Sequence, residues 1–240
     1  MNILSIDTAL TGCRVSIWHA SERQYYTTFE DIKRGQAERL VPIIDATVGR
    51  AAMSYADINA VVVTNGPGAF TGLRVGLSTA RAMALALDVP VLGVSTLDLL
   101  YRQFLRSNAG DADNVCVVLE TKRDDFYAAT WQAGQAELPA QAISGPALHD
   151  HLLCGKARGV IIGDAVERFV QSFVQPNTDV ASQWRAEMSY NQTSTEVLAE
   201  MALEYFTAQQ ASGYQPINVS PAYLKPADVS LSKKIYKTIG

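Results

Sequence analysis

The sequence predicts an α/β protein of two duplicated halves, each running βββαβαβα, and three observations lead there. Short apolar runs of strand length alternate with helical patterns from the first residues onward. An apolar run, Val61-Val62-Val63, passes through the glycine-rich turn Gly66-Pro67-Gly68-Ala69-Phe70-Thr71-Gly72 straight into a helical pattern. Finally, the order of elements recurs after the polar stretch 107–114, where Glu120-Thr121 ends an apolar strand just as Asp7-Thr8 ends the first one.

In order, Ile3–Asp7, Arg14–His19 and Tyr25–Phe29 read as strands, the first two joined by the small polar turn Thr8–Gly12. A helix follows over Gln36–Ala52, with Leu40, Ile43, Ile44, Thr47 and Val48 on one side and Pro42 predicting a bend or a late start. Strand Ala60–Thr64, the glycine turn, helix Thr71–Leu87, strand Val91–Val94 and helix Thr96–Arg106 complete the first half. In the second, Asn114–Glu120, Phe126–Trp131, Gln141–Ser144 and Gly159–Gly163 read as strands and Ala147–Leu153 as a short helix. The closing helix is Ser194–Gln209, capped by Thr193, Ser194 or Thr195. Two such halves around a cleft describe the actin-like ATPase (ASKHA, RNase H-like) architecture. The expected units are 1–106 and 107–212, with helix 194–209 able to pack back on the first, and an extended tail over 213–240.

With 240 residues, 48% hydrophobic and 18% charged, the chain can bury a substantial core. No apolar run approaches the roughly 20 residues of a membrane span. The start of the chain enters a strand pattern without a basic leader, so a cytoplasmic location and no membrane contact are expected. A net charge of −4 argues against nonspecific nucleic-acid binding over the whole surface, although Lys225, Lys233, Lys234 and Lys237 make the tail basic. Cys13, Cys116 and Cys154 are odd in number and far apart, which predicts buried free thiols in place of a disulfide frame.

The glycine turn can gather backbone N–H groups at a helix N-terminus, where anions are favoured. Asp7 and Thr8 at a strand end, with Gly12 allowing close approach, could position a metal-bound phosphate; a polar hairpin end is the plainer reading. The candidate nucleotide or phosphate residues, weak or vestigial, are therefore Asp7, Thr8, Gly12, Gly66, Gly68, Thr71 and Gly72, with Thr71 also a candidate helix cap. No Gly-Lys-Ser/Thr closes the turn, so it is not a Walker A motif. Gly72, Gly76, Ala80 and Ala84 recur every fourth residue and form a ridge of small residues, while Arg74 and Arg81 lie seven apart on roughly one side. Such a ridge serves either burial within the chain or a helix from another chain. His19, His149 and His151 fit no HExxH pattern and no GxSxG elbow occurs, so a metal or triad enzyme is not expected.

The segments Ile3–Ala9, Asn65–Gly76 and Gly93-Val94-Ser95-Thr96-Leu97 closely resemble the bacterial TsaB (YeaZ) family. Lys122-Arg123-Asp124-Asp125-Phe126-Tyr127 and the tail's Pro221-Ala222-Tyr223-Leu224 resemble that family's later segments. The likeness is strong over about 1–130, weak over 131–215, and returns in the tail. It implies the actin-like fold and a non-catalytic scaffold or activator role in forming N6-threonylcarbamoyladenosine on tRNA, next to the anticodon. In the family a paralogue, TsaD, performs the transfer with a metal held by two histidines on its first helix, and the ATPase TsaE joins the complex. Here Arg34–Leu40 contains no histidine, and Glu120 stands where relatives usually carry Asp.

The resemblance further implies partners: TsaD and TsaE homologues, a homodimer when alone, and tRNA through the complex. It implies no intrinsic cofactor, with ATP or ADP at the interface with TsaD the nucleotide to consider. The implied partner face comprises Gln36, Leu40, Ile43, Ile44 and Thr47 on one helix and Arg74, Gly76, Thr79, Ala80 and Met83 on the next. Gly76→Leu is accordingly expected to block a TsaD homologue while sparing the isolated fold. The alternative reading is an active actin-like phosphotransferase or ATPase using Asp7 and the Gly66–Gly72 turn.

Overall fold

The computed structural model describes residues 1–108, 114–154, 158–174, 178–210 and 219–224. Ten strands form two five-stranded sheets among these residues. The first sheet holds β1 (Ile3–Asp7), β2 (Cys13–His19), β3 (Gln24–Glu30), β4 (Ala60–Gly66) and β5 (Val91–Ser95), in the order β3-β2-β1-β4-β5. In the second, β6 (Asn114–Glu120), β7 (Asp125–Gln132), β8 (Gln135–Ser144), β9 (Gly159–Ile162) and β10 (Trp184–Ala186) are ordered β8-β7-β6-β9-β10. Each sheet thus has its first strand at the centre, an antiparallel pair to one side and a parallel pair to the other. That shared order is the duplication, and the fold is actin-like.

The central strands are nearly continuous apolar runs because helices cover both faces of each sheet. Alternation divides the side chains: Leu4, Ile6, Val61 and Val63 enter one core, while Ile3, Ala60 and Val62 enter another on the opposite face. The first core is closed by α1 (Gln36–Arg50) and α2 (Phe70–Leu87). The opposite core is closed by α7 (Thr195–Gln210) with Leu99 of α3 (Thr96–Ser107). Toward the second sheet, Leu97, Leu100, Tyr101 and Phe104 of α3 pack on Val115, Val117 and Leu119 of β6, and Tyr101 stacks on Trp131 at 4.4 Å. The outer face of the second sheet carries α4 (Gly145–Cys154), α5 (Val166–Phe169) and α6 (Thr178–Gln183), around Phe126 and Phe169. The layers therefore run helix, sheet, helix, sheet, helix, with α3 and α7 in the middle.

Several sequence expectations are corrected. Helix α1 starts at Gln36 despite Pro42 inside it, so there is no late start; Gly35 before it takes a left-handed conformation. Strand β8 is longer than expected, and α5, α6 and β10 carry no clear apolar periodicity in so few residues. Cys13 and Cys116 are buried, but Cys154 is exposed. Burial pushes the Cys13 thiol up to about 11, helped by the nearby Glu30 and Asp7 carboxylates. Positions 109–113 of the expected linker and the lysines of the basic tail lie outside the described residues. Among the described residues no helix is long and apolar enough to cross a membrane.

Candidate functional site

The glycine turn is shaped first of all by the chain that lies on it. Strand β4 ends at Gly66 and α2 begins at Phe70, one residue earlier than expected, with extended Ala69 at its N-cap and no side-chain cap. Thr71 is therefore not the cap; it is exposed. The Ala69 N–H donates to the Ala9 carbonyl at 2.7 Å, and the Thr8 hydroxyl donates to the Gly72 carbonyl at 2.7 Å. A Cβ on Gly68 would run into the Ala9 carbonyl, on Gly72 into the Thr8 carbonyl, and on Gly76 into the Thr8 hydroxyl. These three glycines form a track on which the turn after β1 rests. The expectation that Gly76→Leu spares the fold is thus overturned: the added side chain would meet this chain's own Thr8 and Val63. Gly12, with φ of +81°, closes the same turn against the Glu30 carbonyl.

Asp7 is 5% exposed and its carboxylate is fully engaged. One oxygen accepts from the Ala9 N–H at 3.0 Å and the Thr64 hydroxyl at 2.6 Å; the other accepts from the Thr193 hydroxyl. Thr193 precedes α7, whose first turn is capped by Ser194 through the Val197 N–H at 3.3 Å. Asp7 thus ties together the ends of β1 and β4 and the segment leading into α7. A buried carboxylate is stable only when hydrogen-bonded, and these three donors meet that need from within the chain.

The second acidic turn is engaged in its own way. Glu120 and Arg168 form a two-pronged pair, with Nε–Oε1 2.8 Å and Nη2–Oε2 2.9 Å. The guanidinium also lies 3.8 Å from the centre of the Phe126 ring and donates to the Asp125 carbonyl at 3.0 Å. Asp164 accepts the Glu120 N–H at 2.9 Å. Burial pushes the Asp164 carboxyl up to about 6, against the opposing effect of that N–H. Arg168 did not stand out in the sequence, and Thr193 did so only as a candidate helix cap, a place Ser194 takes, because a single arginine or threonine shows no pairing until its partner's position is known.

Between these turns lies a cleft of about 1220 Å³. One wall is Gly68 to Arg74 with Thr11, Lys33 and Gln36; the facing wall is Glu120 to Arg123 with Tyr127 and Asp164; Ala222, Tyr223 and Leu224 form a third side. Of the predicted nucleotide residues, Gly68, Thr71 and Gly72 line it, whereas Asp7, Thr8, Gly12 and Gly66 do not. Lys122, held at φ of +61°, and Lys33 bring positive charge from opposite walls. The arrangement can hold an anionic ligand by lysines and threonines, with its two acidic turns already committed to internal partners.

The predicted partner face divides by burial. Leu40, Ile43, Ile44 and Thr47 of α1 and Gly76 and Ala80 of α2 are buried against the first sheet and cannot touch another molecule directly. Gln36, Thr79 and Met83 are half-buried, and Arg74 is exposed. The outer sides of these helices instead show Val41 at 49%, Phe70 at 51% and Leu85 at 85% exposed. Val41 and Leu85 were visible as apolar residues lying off the buried stripes, a signal that the ridge of small residues obscured.

Comparison with known proteins gives this geometry a relationship. The family model described as TsaD, tRNA N6-adenosine threonylcarbamoyltransferase, matches residues 29–228. The tRNA threonylcarbamoyladenosine biosynthesis protein TsaB of Escherichia coli K12 is 33% identical over 132 residues, covering 55% of each chain. The protein of that name from Haemophilus influenzae is 26% identical over 127 residues, covering 53% of this chain and 52% of its own. The matches thus span about half the length of these curated relatives. YeaZ from Pseudomonas aeruginosa superposes with a TM-score of 0.67 at 23% identity, covering 93% of this chain and 99% of that one. An inorganic polyphosphate/ATP-glucomannokinase from Arthrobacter shares the fold at a TM-score of 0.51 and 13% identity, covering 85% of this chain and 99% of that one. With a family model matching most of its length, the chain belongs to the TsaD-type family and, by its curated relatives, to the TsaB/YeaZ proteins within it.

Proposed function

We infer that this chain is a scaffold subunit in tRNA threonylcarbamoyladenosine biosynthesis, binding a TsaD homologue and through it TsaE, with no chemistry of its own. The observation that carries this reading is the commitment of both acidic turns. Asp7 accepts three internal donors and Glu120 is paired to Arg168, so the carboxylates that could position a phosphate are occupied by the chain itself. Family membership supplies the pathway. The outward sides of α1 and α2, with Val41, Leu85 and Arg74, supply the docking face, and the same face serves a second copy when no partner is present. ATP or ADP, if it takes part, sits where the cleft borders the partner, near Thr71 and the lysines.

Reconstitution tests the reading directly. Modification of tRNA by TsaD and TsaE homologues is measured with and without this chain, and the expected result is that modification depends on it. Equal modification in its absence overturns the proposal. ATP hydrolysis by the purified chain that disappears in Asp7→Ala would favour the phosphotransferase reading instead.

A further inference from the structure

The segment Val219–Leu224 is seated in a groove that two glycines make possible. Val219 is 3% exposed and belongs to the first sheet's core. A Cβ on Gly93 of β5 would lie 2.9 Å from Val219 Cγ1 and 3.1 Å from Asn65 Nδ2, so a side chain there competes with Val219 for its seat. Gly66, at φ of +113°, lets the chain pass close by: its Cβ would lie 3.2 Å from the Ala222 carbonyl oxygen. The Ala222 N–H donates to the Asn65 carbonyl at 2.8 Å, one extended contact onto the end of β4.

The groove's other side is α2. Arg81 donates to the Val219 carbonyl, and Arg74, seven residues earlier on the same flank, donates to the Tyr223 hydroxyl at 3.3 Å. The Arg74 guanidinium lies 3.8 Å from the centre of the Phe70 ring, and the Phe70 and Tyr223 rings are 5.9 Å apart. The segment therefore runs antiparallel to α2, Val219 beside Arg81 and Tyr223 beside Arg74. Its last residues then form a side of the cleft.

We propose that Val219–Leu224 is a latch that closes one side of the cleft and controls access to it. It is held by buried Val219, by part-buried Leu224 against the core between α3 and the second sheet, and by a few hydrogen bonds, so it opens locally at far less cost than the sheets it lies on. When seated, it fixes Arg74 and Arg81 against the tail and leaves the cleft entered from its remaining side. When released, it frees both arginines and opens the wall beside Thr71. This is independent of which ligand or partner the chain serves.

The test uses the full chain with Gly93→Val, which fills the seat, and Tyr223→Ala, which removes the contact to Arg74 without touching the core. Hydrogen exchange should show the Ala222 amide losing about tenfold of its protection in Gly93→Val while β4 and β5 amides keep theirs. Access is read in a Cys154→Ser, Thr71→Cys background by labelling the introduced thiol with iodoacetamide and with a polymer-linked maleimide. The polymer reagent should react about threefold or more faster when either latch substitution is added, with iodoacetamide unchanged. Unchanged Ala222 protection in a folded Gly93→Val protein overturns the proposal. So does polymer labelling that neither substitution accelerates; should Gly93→Val fail to fold, Tyr223→Ala decides by the labelling alone.

Discussion

Asp7 shows how a residue's meaning depends on what surrounds it. At a strand end beside a glycine turn it fits a phosphate or metal ligand, yet here its donors are Ala9, Thr64 and Thr193. Asp7→Ala would leave buried donors without an acceptor and is expected to cost roughly 2–4 kcal/mol in chemical denaturation. A loss below about 0.5 kcal/mol would show that the carboxylate holds nothing together. Asp164 offers a pH test. Its carboxyl is raised to about 6 in the folded chain, chiefly by burial, so the folded state binds the proton more tightly than the unfolded one. Its contribution therefore destabilises at neutral pH and is relieved as the pH falls through 6 toward the ordinary carboxylate value. Asp164→Asn is expected to raise stability by about 1–2 kcal/mol at pH 8 and to make no difference near pH 4, measured by denaturation at both values.

At the level of elements, α2 was the most visible in the sequence and the most easily misread. Its spacing of small residues was plain, but spacing alone cannot say which neighbour comes close. The neighbour of Gly72 is the Thr8 backbone and that of Gly76 the Thr8 side chain, with Val63 beside it, so Gly76→Leu is expected to destabilise the isolated chain by roughly 3 kcal/mol or to prevent folding, seen in thermal melts. Docking is tested on the other side of the helices. Val41→Glu and Leu85→Glu alter exposed side chains and should change stability by less than about 0.5 kcal/mol. Capture of a TsaD homologue in pull-downs should nevertheless fall by about tenfold, since apolar anchors dominate interfaces. Normal capture by both variants would move the docking face elsewhere.

Across the whole molecule, the central layer joins the two sheets: α7, the last helix, lies on the first sheet, and α3 packs on both. That arrangement brings Thr193 to Asp7 across 186 positions of sequence. The strands β1, β4 and β6 and helices α1 to α3 could be read from the sequence because their periodicity follows local geometry, and α/β halves of repeated order leave few topologies. The short α5, α6 and β10 could not, since a few residues carry no period. By itself the sequence determined the fold class, the duplication and the family, through patterns and motifs that are local in the chain. Only the tertiary structure decided what those motifs do: glycines 68, 72 and 76 carry the β1 turn, Asp7 and Glu120 are internally paired, and Gly66 and Gly93 seat the C-terminal segment. The physical reason is that a glycine or carboxylate states only what can approach it, and the approaching group comes from a distant part of the chain.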